Sequence, residues 1–187
     1  MILEEFRHKV ARIYLRKRFA MVQRQRMMYD LSSAKYIGIL CAPQDEACIV
    51  LLKEFLNTLS RKGIKYSVLG YFNKNKIPEN FLYLTGMDFI IQKDLNLLLI
   101  PQNTSVDKFI QEPFDMLIDC SIPDYFPIEY IARLSLAKYK VGIFREGEPY
   151  YDLTVDITKN RTIEYFFKSL DMYLSNLTSK NSKNKKH

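Results

Sequence analysis

The chain is poor in the residues that enzymes most often use to move protons and bind metals. Histidine occurs only twice in 187 residues, as His8 and His187. A Ser-His-Asp or Cys-His pair in the body of the chain is therefore excluded, and so is a His-rich metal centre. There are six glycines, and neither a Gly-x-Gly-x-x-Gly nor a Walker sequence occurs, so the standard phosphate cradles are missing as well. Cys41, Cys48 and Cys120 are the only cysteines. Odd in number and without a Cys-x-x-Cys pair, they read as reduced, buried thiols. No apolar run approaches the roughly 18 residues that a membrane span needs. The charged start, from Glu4 onward, lacks the apolar stretch of a signal peptide. These absences predict a cytoplasmic chain with no metal, no cofactor and no transmembrane segment.

The residues that are present predict a real core. Apolar types make up 48% of the chain, with 13 Tyr and 12 Phe but no Trp. The net charge of +7 suggests a polyanion binder until it is located. Residues 1–30 hold 8 Lys and Arg against 3 acids, and residues 176–187 hold 4 Lys and no acid. That leaves 16 basic and 18 acidic residues in 31–175, a slightly acidic body. The expected organisation is a basic amphipathic helix over 1–30, an α/β domain over 31–175, and a disordered lysine-rich tail over 176–187.

Along the chain, Ile2, Phe6, Val10, Ile13 and Tyr14 recur at helical spacing, and 1–37 contains no Pro or Gly. The spacing predicts one long helix over 2–29. Tyr36–Cys41 is a short apolar run of the kind found in strands buried on both faces. Helical spacing returns over 46–62 and ends at Lys62-Gly63, where glycine suits a left-handed cap. A second strand is predicted over 64–71, and strand–helix–strand order implies a parallel pair. Further strands are expected at 87–92, 114–119, 139–144 and 151–157, with 95–100 either a strand or a buried connection. Helices are expected at 107–111, 127–138 and 162–174. The fold class is α/β: an open, doubly wound, mostly parallel sheet of Rossmann or flavodoxin type.

Ligands of such sheets bind at the carboxyl ends of strands. Asp119, Cys120 and Ser121, just past a buried strand, form one candidate ligand site, although Asp and Ser there also commonly bind turn amides. Asp45, after the first strand, is another candidate, or else the cap of the next helix. Asp152 and Asp156 read as a solvated strand edge, and Arg145, Glu146 and Glu148 as a charged surface turn. Arg7, Lys9, Arg12, Arg16, Lys17, Arg18, Arg24 and Arg26 are candidate polyanion contacts, for RNA above an anionic membrane. Alternatively the apolar stripe packs on the body, on a second copy or on a protein partner, with the charges solvated.

Three segments carry a resemblance: Phe114–Ser121 (FDMLIDCS), Tyr130–Gly142 (YIARLSLAKYKVG) and Tyr151–Asp156 (YDLTVD). Together they resemble a family of small uncharacterised proteins from Bacteroidetes, a domain of unknown function, over most of the chain. More distantly the same stretch is similar to the N-terminal half of heptosyltransferase-type glycosyltransferases, through Asp115, Ile118, Asp119, Ala137, Lys138 and Gly142. That resemblance implies a Rossmann-like half-domain and a catalytic role for an aspartate near Asp45. Gln44 stands where those enzymes carry glycine, and their sugar-nucleotide half has no counterpart in these 187 residues. The leading expectation is a binding or interaction protein without catalytic machinery. The alternatives are a degenerate glycosyltransferase-like half-domain or small enzyme, and an RNA- or ribosome-associated protein.

Overall fold

The computed structural model describes residues 2–81, 86–147 and 149–184, so Glu148 and the final lysines Lys185 and Lys186 lie outside the described residues. Its sheet has six strands, all parallel: β1 (Tyr36–Cys41), β2 (Lys65–Phe72), β3 (Met87–Ile91), β4 (Met116–Asp119), β5 (Tyr139–Ile143) and β6 (Leu153–Val155). The spatial order is β3-β2-β1-β4-β5-β6, the Rossmann order. The chain moves outward from β1 to β3, returns, and moves outward again from β4 to β6. The reversal leaves β1 and β4 side by side, with Leu40 opposite Asp119.

Two helical layers cover the sheet. Helix α2 (Glu46–Arg61) and helix α5 (Ile163–Asn184) bury one face, through Leu52, Leu56, Leu59, Phe166 and Leu170. Helix α1 (Ile2–Ala20), helix α3 (Thr104–Gln111) and helix α4 (Phe126–Leu134) bury the other, around Phe114, Phe109 and Ile131. β1 and β4 up to Ile118 are apolar because both faces are covered. Local signals set the limits of α2. Asp45 caps its start, and Gly63, at φ 71°, closes it. Gly63 N–H donates to Ser60 and Ile64 N–H to Leu59, the two bonds of a Schellman ending, with Ile64 and Leu59 both buried.

Several expectations are corrected. The first helix does not run to residue 29; it stops at Ala20. Residues 22–30 run along the body without regular secondary structure instead, because tertiary partners there outweigh helix propensity. Met27 N–H donates to Lys138 O. Arg24 donates to the carbonyls of Ala137 and Lys138 and, through two bonds of 2.8 and 2.7 Å, to the Asp152 carboxylate. Asp152 is therefore an anchor rather than a solvated edge, and it also accepts from Lys140 N–H. The packed face of α1 is rotated from the expected stripe. Ala11 and Leu15 are buried, whereas Phe6 and Ile13 are more than half exposed. Residues 95–100 form no strand; they turn back on themselves, with Leu95 bridged to Pro101. The last strand is shorter than expected. Helix α5 carries helical backbone to Asn184, into the segment expected to be disordered, since 163–184 contains neither Pro nor Gly. No helix among the described residues is long and apolar enough to cross a membrane.

The Arg24 side chain is 6% exposed and that of Asp152 15%. Removing one partner of so buried a pair leaves the other uncompensated. Arg24→Ala is expected to lower stability by roughly 2–4 kcal/mol in urea unfolding, with an Arg24/Asp152 double-mutant cycle returning a coupling well above that of a surface pair. A loss under about 0.5 kcal/mol would place the pair among ordinary surface contacts.

Candidate functional site

The carboxyl ends of β1 and β2 and the connection from β4 to α4 enclose a crevice of about 480 Å³. It lies over the ends of β1 and β2 and reaches the β4 side of the reversal through Tyr125 alone; the carboxyl ends of strands are where open parallel sheets hold their ligands. Its floor is apolar and buried: Ala42, Tyr71, Phe72 and Phe81. Tyr125, the residue before α4, closes one side, with its ring edge-on to Tyr71 at 5.2 Å between centroids. Burial, with the Tyr125 ring beside it, pushes the Tyr71 phenol up to about 12. The Tyr71 hydroxyl donates to Asn73 Oδ1 at 3.0 Å, and Gln92 Nε2 donates to the same oxygen at 2.8 Å, so the rim on that side is held in place. Gln44, Asp45, Glu46 and Lys74 complete the rim.

Asp45 is at this crevice, and it is also a helix cap: its Oδ1 accepts from Cys48 N–H at 2.8 Å. That bond holds its carboxyl below the usual range. In dinucleotide-binding folds the helix after the first strand offers its N-terminus to a pyrophosphate. Here two carboxylates, Asp45 and Glu46 in the first turn, occupy that place. Negative charge at that place disfavours a phosphate.

Asp119, Cys120 and Ser121 are not on the crevice wall. Asp119 is 1% exposed. It accepts from the Tyr151 hydroxyl and from Ser121 N–H, the latter at 2.9 Å. Burial pushes its carboxyl up from the ordinary carboxylate range, against the opposing pull of Arg145, Tyr151 and Ser121. Arg145, expected in a surface turn, points inward. Its Nη2 donates to the carbonyls of Ser121 and Pro123, and its Nε lies 3.7 Å from Asp124 Oδ1. The Ser121 hydroxyl is fully buried and meets no partner at hydrogen-bond geometry, although its nearness to Asp119 favours the charged carboxylate. This network ties the end of β4 to the β5–β6 connection. Glycine at 142 makes it possible, since a Cβ there would run into the Tyr151 ring.

The three cysteines converge. Cys41, Cys48 and Cys120 line one small void, with Leu52, Ile122 and Ile163. Burial raises all three thiols, Cys41 to about 12, and Cys120 donates to Leu40 O at 3.2 Å. Thiolate chemistry needs the opposite shift, so these groups pack. Among the described residues, no group of three or more His, Cys, Asp or Glu is placed to hold a metal ion.

The candidate polyanion residues divide. Arg7 donates to the carbonyls of Leu97 and Asn96, Arg18 to the Tyr130 hydroxyl, and Arg24 to Asp152. Arg26 reaches Asp152 at 4.0 Å from an exposed position. Lys9, Arg12, Arg16 and Lys17 lie on the exposed side of α1. One group escaped the sequence reading. Lys140, in the middle of β5, is fully buried and donates to the carbonyls of Ala132 and Arg133 at 2.8 and 2.9 Å, near the end of α4. A lysine inside an otherwise apolar strand was the available signal.

No curated protein and no solved structure matches the chain. Residues 7–177, from within α1 to within α5, match the family of unknown function DUF6913, and the chain belongs to that family.

Proposed function

We propose that this chain is a binding protein rather than an enzyme, and that the strand-end crevice holds a neutral, hydroxyl-bearing ring compound such as a nucleoside or a free sugar. The observation that carries the reading is a crevice of about 480 Å³ at the carboxyl ends of β1 and β2, beside the reversal of strand order. Its size falls within the roughly 300–1,000 Å³ of small-molecule sites. An aromatic floor with Tyr125 beside it suits a ring face, and the Gln44, Asn73 and carboxylate rim suits hydroxyl groups. The two carboxylates at the start of α2 disfavour a phosphate in the same place.

A catalytic reading has less support. An acid–base pair at this crest needs Asp45 and Asp119 to face one ligand, and Asp119 is buried within its own network. A glycosyltransferase-like half-domain acting at the two aspartates needs the same opening. RNA association through the ends loses three of its contacts, because Arg7, Arg18 and Arg24 serve the fold.

Saturation-transfer NMR with a panel of nucleosides and hexoses tests the proposal. At least one neutral ring compound should bind saturably, and Tyr125→Ala should weaken it about tenfold or more, as loss of a ring-stacking partner does. The matching nucleoside monophosphate should compete poorly. A panel in which no compound depends on Tyr125 sinks the reading.

A further inference from the structure

We propose that α1 docks on an anionic lipid surface through the face it turns away from the body. The sequence carries an apolar stripe through Phe6, Val10 and Ile13, and the fold leaves Phe6 and Ile13 outside. Ala11 and Leu15 pack on the body instead. Ile13 lies two residues before Leu15, about 200° around the helix and so on its far side. Phe6, two turns before Ile13, returns to that same side. Phe6 is 64% exposed and Ile13 56%. Helix α1 therefore has two apolar faces, and the body covers one of them.

The outer face is flanked by positive charge. Lys9 and Lys17 are the four-residue neighbours of Ile13 on either side, and both are exposed. The acids of α1, Glu4 and Glu5, stay in its first turn. A second element adds to the apolar surface. Leu97, 85% exposed, stands beside the helix on a turn that is held in place. Arg7 donates to the carbonyls of Leu97 and Asn96, and Asn96 Oδ1 accepts from the N–H groups of Leu98 and Ile100.

The charges select the partner. A second copy packed antiparallel about Ile13 would bring Lys9 of one copy onto Lys17 of the other. A parallel pairing would bring each lysine near itself. Both arrangements set like charges together, which opposes association. RNA would be drawn to the lysines, but Ile13 and Leu97 offer its bases no stacking surface. An anionic bilayer satisfies both parts of the face. Aromatic and aliphatic side chains enter the boundary below the headgroups, as in helices that lie in the interface. Lysines extend their ammonium groups outward to the anionic headgroups. The face is convex, a helix exterior beside the tip of a turn, and a bilayer accepts such a shape.

Co-sedimentation of the full chain with vesicles tests this. Vesicles of two parts phosphatidylcholine to one part phosphatidylserine should bind it, and less so as salt rises. Vesicles of phosphatidylcholine alone should bind about tenfold more weakly or worse. Phe6→Ala/Ile13→Ala should lose about tenfold or more by removing the inserted side chains. Lys9→Ala/Lys17→Ala should lose about as much by removing the charge. Lys53→Ala/Lys62→Ala takes equal charge from α2 and its cap, over the other face of the sheet, and should change binding less than about twofold. The chain has no Trp, so an introduced one reports its own surroundings. Phe6→Trp emission should move to the blue on anionic vesicles, whereas Val50→Trp, exposed on α2, should not shift. No binding to anionic vesicles overturns the proposal. An equal loss in Lys53→Ala/Lys62→Ala, or unshifted Phe6→Trp emission in the bound protein, would report diffuse attraction and overturns it too. So does self-association through Phe6 and Ile13 that vesicles do not displace, or single-stranded RNA binding through Lys9 and Lys17 that vesicles do not displace.

Discussion

Asp119→Ala should destabilise the protein by roughly 3–5 kcal/mol, the range for removing one member of a buried, hydrogen-bonded charge network. The substitution strips a partner from the Tyr151 hydroxyl and the Ser121 N–H, and removes the carboxylate opposing Arg145. Asp119→Asn keeps the shape and one acceptor oxygen, so it should cost about 1–2 kcal/mol. The two variants together separate packing from charge, and pH separates them further. Burial raises the folded-state pKa of Asp119, so the folded state holds the carboxyl proton more tightly than the unfolded chain does. The stability this contributes is complete below the unfolded carboxyl value of about 3.9, and is lost as pH rises through the folded value. The Asn variant has no such proton. The margin of wild type over Asp119→Asn should therefore be larger near pH 4 than at neutral pH. A margin that grows with pH in urea unfolding would mean that Arg145 and Tyr151 outweigh burial.

Lys140 predicts a dependence of opposite sign. Burial first, with Arg24 next, lowers its ammonium to about 7. The folded state thus favours the neutral amine. The stability linked to this group is complete above the unfolded lysine value of about 10.4, and is lost as pH falls toward 7. The full shift is on the order of 4 kcal/mol at 1.36 kcal/mol per unit. Lys140→Met has no amine to titrate. Between pH 7 and about 8.5 wild type should gain about 2 kcal/mol on the variant, since cysteine and tyrosine ionisation is common to both and cancels. Parallel stability curves would mean that Lys140 stays charged in place, held by the carbonyls of Ala132 and Arg133. Its position near the end of α4 explains why a lysine is tolerated there at all, since the last carbonyls of a helix lack intrahelical partners and accept from its amine.

The site residues differ in how far they were legible. Asp45 was readable because helix capping is local: a carboxylate three residues before Cys48 can reach its N–H whatever the rest of the chain does. Asp119 was readable as a strand-end position but not as a buried one. Its environment comes from Tyr151 and Arg145, which lie far along the chain and reach it only through the β5–β6 connection. The crevice was legible only as a place. Tyr71 and Tyr125 meet across the end of the sheet, and nothing in their spacing pairs them.

The sequence by itself determined the class of this protein: alternating strands and helices, strands apolar on both faces, α2 bounded by Asp45 and Gly63, and basic charge concentrated at the ends. Those features depend on near neighbours and on periodicity, which the chain states directly. The tertiary structure alone decided that α1 stops at Ala20, that Asp152 captures Arg24, that Lys140 is buried, and that Tyr71 and Tyr125 meet across the sheet end. Each of these joins groups far apart in the chain, or else depends on what covers a face. The competition between local helix propensity and distant partners is settled only when the chain is packed.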